Sequence, residues 1–242
     1  MSSATGSLEG KTVVVIGGAS GVGFAVAEAA RDAGAKVVIA SSQTANVEAA
    51  VAKLGGGVTG DVVDVGDEAS VAAFFETLGS FDHLAFTAGD WGGSMFDPAR
   101  DVDLAAAQAG MKVRFWGALA AVKYGCRTIA QDGSITLTGG MLAHRPMKGA
   151  PVTTAIAGAI EFLAEGLAVD LAPVRVNAVC LGIVLTERTK TLPEAVLTNF
   201  TARQPLARGG DPAEAAQAYL YAMRAGYTTG QVLRVDGGGS LV

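Results

Sequence analysis

This sequence has little of what usually carries side-chain chemistry. Its 242 residues include only two cysteines and two histidines, and aromatics make up 6% of the chain. Cys126 and Cys180 lie far apart, match no metal-ligand spacing and cannot build a disulfide framework. No metal is expected on that basis, and the thiols read as buried fillers. The opening Met1–Gly6 stretch is small and polar, with neither the charged start nor the apolar core of an export signal. A cytoplasmic protein is therefore expected. Charge is scarce too, at 17%, but half the residues are hydrophobic, which excludes a disordered chain. Eighteen basic against 23 acidic residues leave a net charge of −5. That balance speaks against nucleic acid or an anionic membrane as partner. No apolar run reads as long enough to cross a bilayer.

Glycine is abundant, at 33 residues, and many tight turns are expected. Short β-branched runs alternate with Ala-rich amphipathic stretches. Strands are predicted at Lys11–Ile16, Lys36–Ala40, Val58–Val65, Phe81–Thr87, Ser134–Thr138, Arg175–Cys180 and Val232–Val235. Helices are predicted at Gly21–Ala33, Asn46–Leu54, Asp67–Leu78 (with Asp67 as N-cap), within Val102–Ala130, at Thr153–Leu171 and at Pro212–Arg224. Such alternation builds an α/β fold, a parallel sheet with helices on both faces. No linker divides residues 1–242, so a single domain is expected. The irregular stretch Gly182–Gly210 suits a substrate lid, or else an ordinary surface excursion.

The first strand runs straight into Gly17-Gly18-Ala19-Ser20-Gly21-Val22-Gly23, which opens a helix. Such a turn lets the backbone approach a pyrophosphate, while the helix N-terminus offers amide donors and a positive dipole. With Ile16 ahead of it, the run resembles the T-G-x-x-x-G-x-G signature of short-chain dehydrogenases/reductases. Asp64-Val65 is similar to that family's pair beside the adenine, and Thr87-Ala88-Gly89 stands where it has N-A-G. Arg175-Val176-Asn177-Ala178-Val179 resembles its R-V-N-x-V strand, with Leu181-Gly182 in place of Pro-Gly. Thr229–Gly238 is close to T-G-x-x-x-x-V-D-G-G. The resemblance implies a Rossmann-type doubly wound sandwich with a seven-stranded parallel sheet, and a nicotinamide dinucleotide as cofactor. It places Gly17, Ser20, Gly21, Val22, Gly23, Ser41, Ser42, Asp64, Val65, Ala88, Gly89, Ile183 and Thr186 around that cofactor. Ile183 and Thr186 would cup the carboxamide. At the end of the second strand Ser41-Ser42-Gln43 carries no carboxylate to repel a 2′-phosphate. That favours NADP over NAD, although the serines can equally serve to cap the next helix.

The family's catalytic residues are missing. Its Tyr-x-x-x-Lys-Ala-Gly aligns on Val152–Gly158, putting Val152 for Tyr and Ile156 for Lys. Its Ser falls on Gly139 and its Asn on Arg114. No register rescues the pair, because Tyr124, Tyr219, Tyr221 and Tyr227 each lack a Lys four residues on. Val152 and Ile156, spaced i and i+4, put an apolar face where the relay would be. Substitute groups are sought in the loop Met141–Lys148. His144 can act as acid or be a solvated loop histidine. Lys148, Arg145 and Arg114 can bind an anion or polarise an oxyanion, and Arg114 can equally be a salt-bridged helix residue. Asp90 is placed near the site or forms a turn, whereas His83 reads as structural. Phe86, Trp91, Met95, Met141 and Met147 line a greasy pocket or simply fill the core.

Three functions fit. One is an oxidoreductase of atypical mechanism acting on a small molecule such as an activated double bond or an imine. Another is a non-catalytic dinucleotide-binding sensor or inactive subunit. The third, a non-redox lyase or isomerase, has less reason to keep the glycines and Asp64-Val65. The Ala-rich helices resemble those through which the family forms dimers and tetramers, and a homotetramer or homodimer is expected.

Overall fold

The computed structural model describes residues 7–89 and 95–242; Asp90 and Trp91 lie outside them. Seven strands form one parallel sheet: β1 (Thr12–Ile16), β2 (Lys36–Ser41), β3 (Val58–Val62), β4 (Phe81–Phe86), β5 (Ile129–Gly140), β6 (Arg175–Leu181) and β7 (Val232–Val235). Their order is β3-β2-β1-β4-β5-β6-β7, so the winding reverses between β1 and β4. The expected doubly wound sandwich is what the chain adopts.

Among the described residues, eight α-helices cover it: α1 (Gly21–Asp32), α2 (Thr44–Leu54), α3 (Glu68–Leu78), α4 (Leu104–Met111), α5 (Gly117–Gly125), α6 (Pro151–Asp170), α7 (Glu194–Thr201) and α8 (Pro212–Arg224). Alternation along β1 shows how the two layers are built. Val14 and Ile16 join one core with Phe74, Phe81, Val122 and Ile160. Val13 and Val15 face the other, with Val26, Ile39, Tyr219 and Met223. Successive side chains point to opposite faces, so a strand covered on both must be apolar throughout. Helix starts follow capping chemistry. Asp67 accepts from Ala69 N at 3.1 Å, as expected, and Asp211 with Glu214 forms a capping box on α8.

Five features depart from the expected pattern. Strand β3 ends at Val62, three residues short of the expected Val65. The helical stretch within Val102–Ala130 is interrupted by a π-helical turn, Lys112–Trp116, between α4 and α5. Strand β5 begins five residues early, at Ile129, with a register irregularity against β4 between Phe81 and His83. The stretch 182–210 contains α7, and its ends meet through a parallel bridge between Val184 and Gly210. Finally, α6 is long and apolar enough to cross a membrane by length and composition, with a mean hydropathy of 1.5. Glu161 and Glu165 break any uninterrupted apolar run within it. In the fold its buried face, including Ile156, Ile160 and Leu167, packs on β5 and β6.

Candidate active site

The turn after β1 sits where the winding reverses, the place where open α/β sheets bind ligands. A Cβ at Gly17 would stand 2.6 Å from Ala88 N, and one at Gly23 would stand 2.2 Å from the Gly17 carbonyl oxygen. Both positions need glycine for space, and Gly17 has φ +89° as well. Close packing draws β1, α1 and the end of β4 together: Thr87 Oγ1 donates to Ile16 O at 3.0 Å. Ser20, at the N-cap of α1, is exposed and makes no side-chain cap bond, and the first turn carries no acid. Amide donors and helix dipole are thus left for an anion, with half-buried Gly21 and Val22 beside them. Thr186 reaches the same turn, its Cγ2 3.1 Å from where a Cβ on Gly21 would be. It is held by Thr189, whose Oγ1 accepts from Thr186 N at 2.7 Å.

The other cofactor-side residues have distinct surroundings. Ser41 ends β2, half-buried, and Ser42 is exposed just beyond it. The exposed Asp64 carboxylate accepts from Gly66 N at 2.8 Å, while Val65 is buried. Ala88 N lies against Gly17, and Ile183 O accepts from Gly210 N at 2.9 Å, closing the base of the 182–210 segment. The cradle fits a dinucleotide: a helix N-terminus without a capping side chain, glycines where a Cβ would collide, and no acidic residue in the first turn.

The three candidate chemical groups are held in separate settings. Arg114, at the centre of the π-helical turn, lies flat against Gly89, its Cζ 2.7 Å from where a Cβ there would stand. It therefore faces the end of β4, beside the cofactor turn. His144 turns elsewhere, its Nε2 2.7 Å from Glu161 Oε2 and its Nδ1 3.1 Å from Arg234 Nη2. Lys148 lines an open cleft of about 670 Å³ with Arg100, Pro98, Pro146, Met147 and Thr154. Arg145 donates to Gly239 O at 3.2 Å, tying its loop to the chain's end.

No tyrosine replaces the missing acid. Tyr219 is fully buried, its hydroxyl 2.7 Å from Thr138 Oγ1, and burial pushes its phenol well above the ordinary range. Tyr124 donates to Glu68 at 3.0 Å, and Tyr221 and Tyr227 are exposed on the surface. Val152 is half-buried and Ile156 buried. The adjacent register is equally bare: Thr153 donates its hydroxyl to Met95 O, and Ala157 is apolar. His83 is buried against Ser134 Oγ at 2.9 Å. Burial holds its pKa down to about 4, as suits a structural residue.

Sheet order, glycine turn and bare helix N-terminus define a Rossmann-type dinucleotide-binding fold. Comparison with known proteins carries this further. The family profile described as enoyl-(acyl carrier protein) reductase matches residues 17–240. The short-chain dehydrogenase/reductase ucsE of an Acremonium species is 37% identical over 256 residues, spanning 96% of each chain. A solved small-chain dehydrogenase in complex with NADPH superposes with a TM-score of 0.79 at 34% identity, over 96% of this chain and 99% of that one. The MalC reductase/Diels-Alderase of Malbranchea aurantiaca does so with a TM-score of 0.89 at 30% identity, over 98% and 99%. The chain belongs to the short-chain dehydrogenase/reductase family of oxidoreductases.

Two groups at the carboxyl end of the sheet escaped the sequence reading: Glu161 and Arg234. A lone glutamate on the inward stripe of an apolar helix was the available signal for the first. For Arg234 there was none.

Proposed function

We propose that this chain is an NADP(H)-dependent oxidoreductase that transfers hydride without a Tyr/Lys pair, Arg114 polarising the substrate. The observation that carries this reading is the guanidinium of Arg114 lying on Gly89 beside the glycine turn. The pyrophosphate would rest on the amides of Ser20–Gly23, the ribose and adenine against Ser41, Ser42, Asp64 and Val65, and the nicotinamide between Ala88, Gly89, Ile183 and Thr186. When bound, the nicotinamide supplies or accepts a hydride. Arg114 contributes a fixed positive charge where negative charge develops. It cannot donate a proton at ordinary pH, so the proton comes from water. Substrates that need little acid assistance suit this arrangement: an activated carbon–carbon double bond or an imine. The cations Arg100 and Lys148, which share one cleft, favour a substrate with an anionic group, and the segment 182–210 acts as its lid.

An NADPH complex of a 34% identical neighbour supports the cofactor. A relative described as a reductase/Diels-Alderase supports a reductive role. The second reading, a non-catalytic dinucleotide-binding protein, is favoured by the apolar Val152 and Ile156. Titration with NADPH and NADH, followed by nicotinamide fluorescence and melting temperature, tests both. Tight NADPH binding with a stabilised melt, then oxidation of NADPH by an activated alkene or imine, is expected. Binding without turnover across such a panel selects the second reading, and no binding of either nucleotide overturns both.

The protein is further taken to work in the cytoplasm as a homotetramer or homodimer. Leu104, Trp116 and Phe162 stand 72%, 57% and 74% exposed on α4, the π-helical turn and α6, and Gly158 on α6 has open space above it. These helix faces suit self-association. Light scattering showing a monomer at micromolar concentration would sink it.

A further inference from the structure

The same register row crosses three strands as Gly139, Cys180 and Arg234. Side chains at one register in parallel strands share a face of the sheet. Cys180 is buried there, and Glu161 reaches it from the overlying helix α6. The glutamate side chain is 7% exposed. One of its oxygens meets His144, and the other, Oε1, is buried without a hydrogen-bond partner. Gly139 leaves the room for it, since a Cβ there would lie 3.4 Å from that oxygen. One ligand atom each from His144, Glu161 and Cys180 lie within 4.8 Å of one another.

We propose that His144, Glu161 and Cys180 form a binding site for one borderline-soft divalent cation of the zinc class. The donor set is nitrogen, oxygen and sulfur, the mixture such ions prefer over hard calcium or magnesium. Charge balances: a thiolate and a carboxylate supply two negative charges against a divalent ion, with a neutral imidazole. A thiol must give up its proton to become a metal ligand. As the sulfur–metal bond forms the proton leaves to solvent, so affinity rises with pH. His144, partly exposed, provides the entry path. The ion would pin the loop after β5, which carries Arg145 and Lys148, to α6 and β6.

Arg234 opposes this state. It now points a donor at His144 Nδ1, which leaves the ring proton on Nε2 to meet Glu161. Metal at Nε2 moves that proton to Nδ1, against the guanidinium, so Arg234 must swing away. Being exposed, it can.

The test uses tag-free full-length protein titrated with Co²⁺, then with Zn²⁺ against a chromophoric chelator. One ion per chain, a sulfur-to-cobalt charge-transfer band and a raised melt are expected. Cys180→Ser should abolish the band, and Glu161→Gln and His144→Gln should each weaken zinc binding about tenfold or more. Arg234→Gln should bind several-fold tighter. Should Cys180→Ser fail to fold, Glu161→Gln and His144→Gln report on the same site with the thiol intact. Absence of the band in the wild type, or zinc affinity unchanged in Glu161→Gln and His144→Gln, overturns the proposal. Equal loss in Arg234→Gln overturns the ligand assignment.

Discussion

At the amino ends of the strands and at their carboxyl ends, this fold treats polar groups in opposite ways. At the amino ends the charged and ring groups are paired. Asp82 accepts from Lys11 Nζ and Thr12 N, both at 2.8 Å, and His83 pairs with Ser134. Arg175 donates to the carbonyls of Ala222, Ala225 and Met223 at 2.5, 3.0 and 2.8 Å, closing the C-terminus of α8. At the carboxyl ends several groups are left waiting: the Ser20 side chain makes no cap bond, backbone glycines stand in place of side chains, and Glu161 Oε1 is buried without a hydrogen-bond partner. Saturation stabilises, whereas unmet groups select a ligand. Altering the amino end should therefore cost stability and spare binding, whereas altering the carboxyl end should cost binding or turnover.

The largest effect should come from Arg175→Ala. It removes charged hydrogen bonds to the last carbonyls of a helix, where a cation also meets the negative end of the dipole. A loss of about 4 kcal/mol in chemical denaturation is expected, with NADPH affinity of the folded protein unchanged. A fall in affinity as large as the fall in stability would break the comparison.

Gly23→Ala should fail in the other sense. Its Cβ would sit 2.2 Å from a backbone oxygen, and backbone cannot rotate away as a side chain can. Overpacking of this kind costs about 3 kcal/mol, and the distorted turn should lose NADPH binding altogether in the fluorescence titration. Retained binding would show that the turn tolerates displacement.

Acid should act on the amino end first. His83 has a pKa of about 4 when folded, below its unfolded value of about 6.5. Between these values the unfolded chain binds the proton and the native chain does not. Stability is therefore full above about pH 6.5 and falls as pH drops towards 4, by about 3 kcal/mol. His83→Gln, which keeps a partner for Ser134, should flatten that slope in denaturation curves taken across the range. An unchanged slope assigns acid sensitivity to other groups.

Most of this division was legible from residues alone, because strands buried on both faces and glycines at a strand–helix turn leave local signatures. Strands β6 and β7 and helix α8 lie within a residue of their expected limits. Local pattern could not show the π-helical turn at Lys112–Trp116, since KVRFW suits an ordinary helix equally well. Nor could it show that β5 starts at Ile129, where pairing with Phe81 overrides the turn-like Gln131-Asp132-Gly133. The grouping of Glu161, Cys180 and His144 depends on sheet register and on which stripe of α6 turns inward. Spacing between two cysteines carries no trace of it, since only one takes part.

Arg114 sharpens the comparison most finely, because it is a charge placed at the carboxyl end. A π-helical turn widens the backbone by one residue and so re-aims the side chain at its centre. Here that side chain lies over Gly89, where an added Cβ would collide with its guanidinium. Arg114→Met keeps much of the length and the stacked surface while removing the charge. If the charge stabilises the developing anion, turnover of an activated alkene or imine should fall about 10²-fold. NADPH affinity should stay close to wild type, and Arg114→Lys should recover only part of the rate because it lacks the planar fork. A drop in NADPH affinity with no separate change in kcat would instead make Arg114 a cofactor anchor, and the polarising role would pass to another group.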